Sequence, residues 1–197
     1  MKKGMLITVV VVGVVLGLVL VGVLAYRNVY NTIIRMDENI NARLGDLQAQ
    51  YQRRVDLIPN LVEVVKGYAA HERETLEGVV KARAEATQTK LDISRPESIQ
   101  NFQNAQGALT QALSRLMVVV EQYPNLKANQ NFLYLQSQLE GTENRIKQDR
   151  YDFNGAVQSY NAYVRGFFVS MFFGSRFPAK PYFQADAGAD KAPKVKF

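Results

Sequence analysis

The sequence predicts an all-α protein, with one N-terminal transmembrane helix followed by an antiparallel four-helix bundle with long helices. Three observations lead to this fold class. An uncharged apolar run opens the chain, and apolar residues then recur three and four positions apart, the spacing of one face of a helix. No segment before the carboxyl end shows the alternation typical of a strand.

The apolar run covers residues 4–26 and lies between Lys2–Lys3 and Arg27. About 20 apolar residues, at ~1.5 Å each, form ~30 Å of helix, the thickness of the hydrocarbon core of a bilayer. We therefore expect an uncleaved anchor over residues 1–27. The alternative is a signal peptide cleaved after Val23–Ala25, but the run is longer than the apolar core of such peptides.

The flanking charges leave the orientation of the anchor open. Lys2 and Lys3 precede the run, and Arg27, Arg35 and Arg43 follow it, so the positive-inside rule gives a near tie. The side of the membrane on which the bundle lies is not predicted.

The helical stripes predict four helices, over about residues 28–57, 59–90, 96–123 and 126–173 of a bundle that spans 28–174. Pro59 divides the first two, because proline disfavours helix in the residue before it. Whether Pro59 reverses the chain or only kinks one long helix is open. A reversal returns the last helix to the bilayer, whereas a kink points its end away. The tail, residues 175–197, is predicted to be extended or partly disordered.

Gly13 and Gly17 form a GxxxG pattern inside the span, which lets two helices approach closely. They are the candidates for transmembrane oligomerisation, and a homo-oligomer is expected. The alternative is that glycine is simply tolerated in this span.

Glu72 and Glu143 fall on apolar stripes, where a carboxylate is costly unless it is paired. Arg83 and Arg150 lie near the same stripes. We expect these buried polar candidates to satisfy one another, with help from the Arg53–Arg54 pair. The alternative is a polar site for a ligand or partner.

The end of the last stripe is the most aromatic part of the chain. It contains Phe167, Phe168, Phe172 and Phe173. These residues are either ordinary core or a contact with the membrane or with another subunit.

Little in the composition favours catalysis. The chain has one histidine and no cysteine, and neither a phosphate-binding loop nor a hydrolase motif is present. The net charge of +6 is mixed in sign along the helices, unlike the basic face of a nucleic-acid binder. The sequence predicts no enzyme, no cofactor, no metal site and no nucleic-acid partner.

Several blocks resemble the LemA family of bacterial membrane proteins. They are RRVDLIPNLV at 53–62, VKGYA at 65–69, HE at 71–72, YPNLKAN at 123–129, NF at 131–132, LEGTENRI at 139–146, YN at 160–161, FG at 173–174, YF at 182–183 and PKVKF at 193–197. The resemblance implies a LemA-like four-helix bundle behind a single span, in the inner membrane of a bacterial cell, with no established enzymatic activity.

The matched blocks surround Pro59 and Pro124, the two predicted turns at the end far from the membrane. We expect a partner surface there, formed by Arg53, Arg54, Asn60, Asn125 and Lys127. The alternative is that these residues only cap the turns.

The predicted function is that of a membrane-anchored helical scaffold or adaptor. It would bind the lipid bilayer, further copies of itself and an unidentified membrane protein. The alternative is a membrane-remodelling or lipid-contact protein that uses the aromatic end of the last helix.

Overall fold

The computed structural model describes residues 2–184. Within this range the chain is all-helical, with connecting segments and no strand, as the sequence predicts. The helices are α1 (Lys2–Lys66), α2 (Arg73–Gln88), α3 (Pro96–Val120), α4 (Pro124–Lys127), α5 (Gln130–Val164) and α6 (Phe167–Phe173), followed by a 3₁₀ turn, Gly174–Arg176.

α1 is one helix of 65 residues that contains Pro59, so the predicted helix end at residue 57 is wrong. Proline in a helix interior costs about 3 kcal/mol. Here the proline is exposed, while Ile58 and Leu61 are fully buried on the inner face. The burial of this face outweighs the local preference, and the chain turns at residues 67–72 instead.

Among the described residues, α1 is the one helix long and apolar enough to cross a membrane. The apolar stretch that could do so is its first part, and none of that stretch is buried. The helix passes through Val23–Ala25 without a break, and Ile33 is its first buried core residue. The span therefore continues directly into the folded body.

α5 runs back along α1 toward the span. Arg53 donates to Gln138 at 2.9 Å, and further down the ring of Tyr26 stacks on Phe173 at 4.8 Å between centroids. The aromatic end of the chain thus lies beside the end of the span. The expectation that a mere kink at Pro59 would point this end away is wrong, because α2 and α3 supply two further passes.

α2 and most of α3 complete the distal part of the body, which lies far from the span, while Ile99 and Phe102 at the start of α3 pack in the part nearer the span. α2 packs on α1, where Arg83 Nε donates to the carbonyl of Val55 at 3.0 Å, and α3 packs on α2. The core has two parts. The distal cluster contains Leu61, Leu116 and Phe132, and the membrane-proximal cluster contains Ile33 and Phe153.

The predicted last helix, residues 126–173, is also interrupted. Asn129 caps α5 by accepting from the backbone N–H of Phe132 at 3.0 Å, which separates α5 from the single turn of α4. Gly166 then separates α5 from α6, and Gly174, at φ +53°, takes the chain out of α6. Residues 177–184 have no regular secondary structure. The rest of the predicted tail lies outside the described residues.

Candidate functional site

The span carries the two glycines of the GxxxG pattern on one open face. A Cβ built on Gly13 or Gly17 meets nothing within 4 Å. Because Gly13 and Gly17 are four residues apart, they lie about 40° apart around the helix, whereas Gly22 lies about 180° from Gly13. The face is therefore free to receive a second helix.

Arg54 lies at the centre of a buried polar network, with only 3% of its surface exposed. Its guanidinium donates to Glu143 at 2.9 Å, to Thr110 at 3.3 Å and to the side-chain oxygen of Gln106, and lies 5.4 Å from the centroid of the Tyr51 ring. This network ties α1 to α3 and α5. Arg54 is thus a core residue and not part of a partner surface, because it lies on the same buried face of α1 as Tyr51 and Ile58.

The predicted buried polar residues find different partners. Half-buried Glu143 pairs with an arginine, as expected, but half-buried Glu72 accepts from the hydroxyl of Tyr123 at 2.9 Å. That hydrogen bond, with the nearby carboxylate charge, raises the pKa of the Tyr123 hydroxyl. Arg150 donates to the carbonyl of Gln184. In the described part of the chain, the contacts of these residues and of Arg83, which donates to the carbonyl of Val55, lie in different places and do not define one shared site.

The distal tip consists of residues 66–73 and 121–129. Asn125 and Lys127 are exposed there, and Lys127 pairs with Glu121. Arg53 and Asn60 are also exposed, but Arg53 precedes the end of α1 by 13 positions, or about 20 Å of helix. The predicted surface is therefore not one patch, since the chain does not reverse at Pro59.

The aromatic run divides between core and surface. Phe173 is buried against Tyr26, whereas Phe167, Phe168 and Phe172 are 73%, 71% and 65% exposed. The expectation of ordinary core holds for Phe173 alone among these four residues. The other three lie on the outer face of α6.

Sequence reasoning missed a set of side-chain amides that bind the backbone of residues 180–184. Asn161 donates to the carbonyl of Lys180 and accepts from its N–H, both at 2.8 Å. In the same way, the side chain of Asn154 donates to the carbonyl of Phe183 at 2.9 Å and accepts from its N–H at 3.0 Å. The signal in the sequence is two asparagines seven positions apart on the inner face of α5.

Within residues 2–184, no three His, Cys, Asp or Glu side chains are grouped so that they could hold a metal ion. Three acidic residues lie close together between α1 and α5. Burial, with Asp46 and Asp152 nearby, raises the pKa of the Asp149 carboxyl. The arrangement described here offers surfaces for contact and a structural polar network.

Comparison with known proteins places these features in a family. The LemA family model matches residues 43–197. Among curated relatives, Magnetosome protein MamQ 2 of Paramagnetospirillum magneticum is 26% identical over 181 residues, which cover 82% of this chain and 66% of that protein. Magnetosome protein MamQ of Magnetospirillum gryphiswaldense is 25% identical over 154 residues, covering 68% and 57%.

Protein LemA of Metamycoplasma hominis is 23% identical over 141 residues, which cover 71% of this chain and 61% of that protein. The chain thus spans about two thirds, or somewhat less, of the length of the relatives it matches.

Proposed function

Because the chain belongs to the LemA family, we propose that it is a single-pass, membrane-anchored helical scaffold that acts by self-association and by binding another membrane protein. One observation carries the proposal. α1 is a single helix whose first part is exposed and apolar and whose last part is buried in the body. A continuous helix of this kind joins the body to the span without a flexible linker, which suits a scaffold.

The proposed body is a bundle of four antiparallel helices, formed by the second half of α1 with α2, α3 and α5. The contacts of α1 with α5 and α2, and of α2 with α3, support it. The proposed location is the inner membrane of a bacterial cell. From the magnetosome relatives we carry over no specific role; the proposed location at a membrane is supported by the exposed, apolar first part of α1.

Self-association is assigned to the span. Gly13 and Gly17 expose backbone on one face, and close backbone approach allows the van der Waals packing that drives helix association in lipid. The second contact is assigned to the distal tip, where Asn125 and Lys127 are exposed at the end of the body farthest from the bilayer. A partner bound there would leave the span face free.

The glycine face is tested by counting copies of the full-length chain in native-lipid nanodiscs by single-molecule photobleaching. Isoleucine side chains at both glycines, in a Gly13→Ile/Gly17→Ile variant, block the close approach, so we expect a shift from multiple copies to single copies. The matched control is Gly22→Ile, which adds the same side chain on the opposite face and leaves the copy number unchanged.

Two results count against this assignment. One is a wild-type chain that is monomeric at its cellular abundance. The other is an equal loss of copies in the Gly22→Ile control, which would reflect a general defect in the span and not a specific face.

A further inference from the structure

The outer face of α6 is an unusual concentration of exposed apolar side chains. Phe167, Phe168, Met171 and Phe172 are between 60% and 73% exposed. At about 100° per residue they fall within about 140° of the helix circumference, while Val169 and Phe173 are buried on the other side. Four large apolar side chains grouped in this way mark a surface that contacts something other than water.

This face lies at the end of the membrane span. Phe173 stacks on Tyr26, the last residue of the apolar run, at 4.8 Å between ring centroids. Phe177 meets Tyr30, one helical turn further along α1, at 5.9 Å. Tyrosines at the end of a span are typical of the boundary between hydrocarbon and headgroups. α6 is therefore held at the depth of that boundary.

α6 is also fixed to the body at both of its ends. It follows α5 after the two-residue link Arg165–Gly166, and the chain beyond it is pinned where Asn161 holds the backbone of Lys180 through two hydrogen bonds of 2.8 Å. Phe173 and Val169 are inserted into the membrane-proximal cluster. The exposed phenylalanines are thus presented by a fastened helix and not by a loose end.

The charges around α6 have one sign. Arg27, Arg165 and Arg176 are exposed, and the guanidinium of Arg176 lies 5.5 Å from the centroid of the Tyr30 ring. No Asp or Glu occurs in residues 4–36 or 153–184. The first acidic residue after the span, Asp37, is paired with Lys180. Basic residues at this level attract anionic lipid headgroups.

We infer that α6 is a second membrane contact, with its phenylalanine face inserted at the acyl–headgroup boundary of an anionic bilayer beside the span. The occupant of this face is lipid, because the face is continuous with the exposed apolar surface of a helix that is itself in the bilayer. The surrounding arginines complement the charge of anionic headgroups. An interfacial helix with an apolar face and basic flanks binds in this manner.

Lipid contact at α6 would orient the body as well as tether it. A single helix permits the body to tilt and rotate about the span, whereas a second contact on one side fixes which face looks away from the membrane. The inference is independent of whether the scaffold self-associates.

The chain has no tryptophan, so one substitution supplies a unique fluorescent reporter. We would place Phe172→Trp, in the full chain, in nanodiscs that hold one copy each. Lipids brominated at a shallow acyl position report contact by quenching. Tyr134→Trp, at a position 64% exposed near the distal end of α5, is the matched control. Leu16→Trp, in the middle of the span, confirms insertion.

Quenching of Phe172→Trp several-fold above that of Tyr134→Trp is the expected result. It should increase with the fraction of anionic lipid, and the Arg165→Gln/Arg176→Gln variant should lose that increase while retaining the quenching in zwitterionic lipid. If Leu16→Trp is quenched but Phe172→Trp behaves like Tyr134→Trp, the inference is overturned. A second outcome overturns it equally. If the emission of Phe172→Trp is blue-shifted in discs that hold two copies but not in discs that hold one, and lipid bromine does not quench it, then a second chain and not lipid covers the face.

Discussion

The ion pair between Arg54 and Glu143 joins α1 to α5 near the middle of the body, and its removal gives the most quantitative prediction for the fold. The Nη1–Oε2 distance is 2.9 Å, and the two side chains are unequally buried, with 4% of Arg54 and 36% of Glu143 exposed. The consequence is that the two single substitutions should not cost the same.

Two unit charges about 4 Å apart interact by about 4 kcal/mol at an effective dielectric constant near 20. The access of water to Glu143 reduces this, so we expect a coupling energy of about 2 kcal/mol. Glu143→Gln leaves a guanidinium that is buried without a counter-charge, which costs about 3 kcal/mol. Arg54→Met leaves Glu143 able to hydrate, and costs about 2 kcal/mol.

The assay is urea unfolding of the full chain in micelles, followed by the loss of far-UV circular dichroism, for both single variants and the double variant. Arg53→Met is the matched control, because Arg53 is exposed and bonds only to Gln138 among the contacts described, so its cost should stay within about 0.5 kcal/mol. Additive costs for Arg54 and Glu143, or an Arg54→Met variant as stable as Arg53→Met, would refute this reasoning.

Two further predictions concern the tail and the acidic cluster. Asn161→Leu removes both hydrogen bonds to Lys180 at a site that is 2% exposed, so it should cost about 1–3 kcal/mol. Limited digestion with trypsin should then cut after Arg176 faster than in the wild type, before the body unfolds; the Lys180–Pro181 bond itself resists trypsin. A rate of cutting after Arg176 equal to that of the wild type would contradict this prediction. The pKa of the Asp149 carboxyl is raised in the folded state, so the folded state binds this proton more tightly than the unfolded state. The resulting contribution to stability is complete below the pKa of the unfolded state and is lost as the pH rises through the pKa of the folded state. Asp149→Asn should therefore stabilise the body at neutral pH by less than about 1 kcal/mol, and the gain should vanish below about pH 4, as measured by urea unfolding at both pH values; a constant gain would exclude titration of Asp149 as its cause.

Several parts of the fold are predictable from the sequence because their signals are local. The span follows from the length and apolarity of residues 4–26. The start of α3 at Pro96 agrees with the predicted boundary, because proline is favoured at the first position of a helix. At Pro59 the local signal is misleading, because proline disfavours helix before it and yet α1 continues through this position. The burial of Ile58 and Leu61 overrides this preference, and it depends on packing against α2 and α5.

The parts of the candidate site that were missed depend on partners distant in sequence. Arg54 meets Gln106 and Glu143, which lie 52 and 89 positions later, so the partners that make its burial possible cannot be identified from neighbouring residues. Asn161 and Asn154 bind backbone groups of the tail. Every residue has such groups, so the sequence does not indicate which of them will be bound. Helical periodicity predicts which face of a helix is buried but not which other segment of the chain packs against it.

Photo-cross-linking in the living cell tests whether the chain acts by contacts with proteins at the membrane. A photoreactive residue replaces exposed Leu20, which lies within about 20° of Gly13 around the helix and leaves both glycines intact, or Asn125 at the distal tip of the full-length chain. Gly22 and Tyr151 are the control positions. We expect position 20 to cross-link to a second copy and position 125 to one discrete protein, in yields above those of the controls. Yields at positions 20 and 125 no higher than at Gly22 and Tyr151 would contradict this.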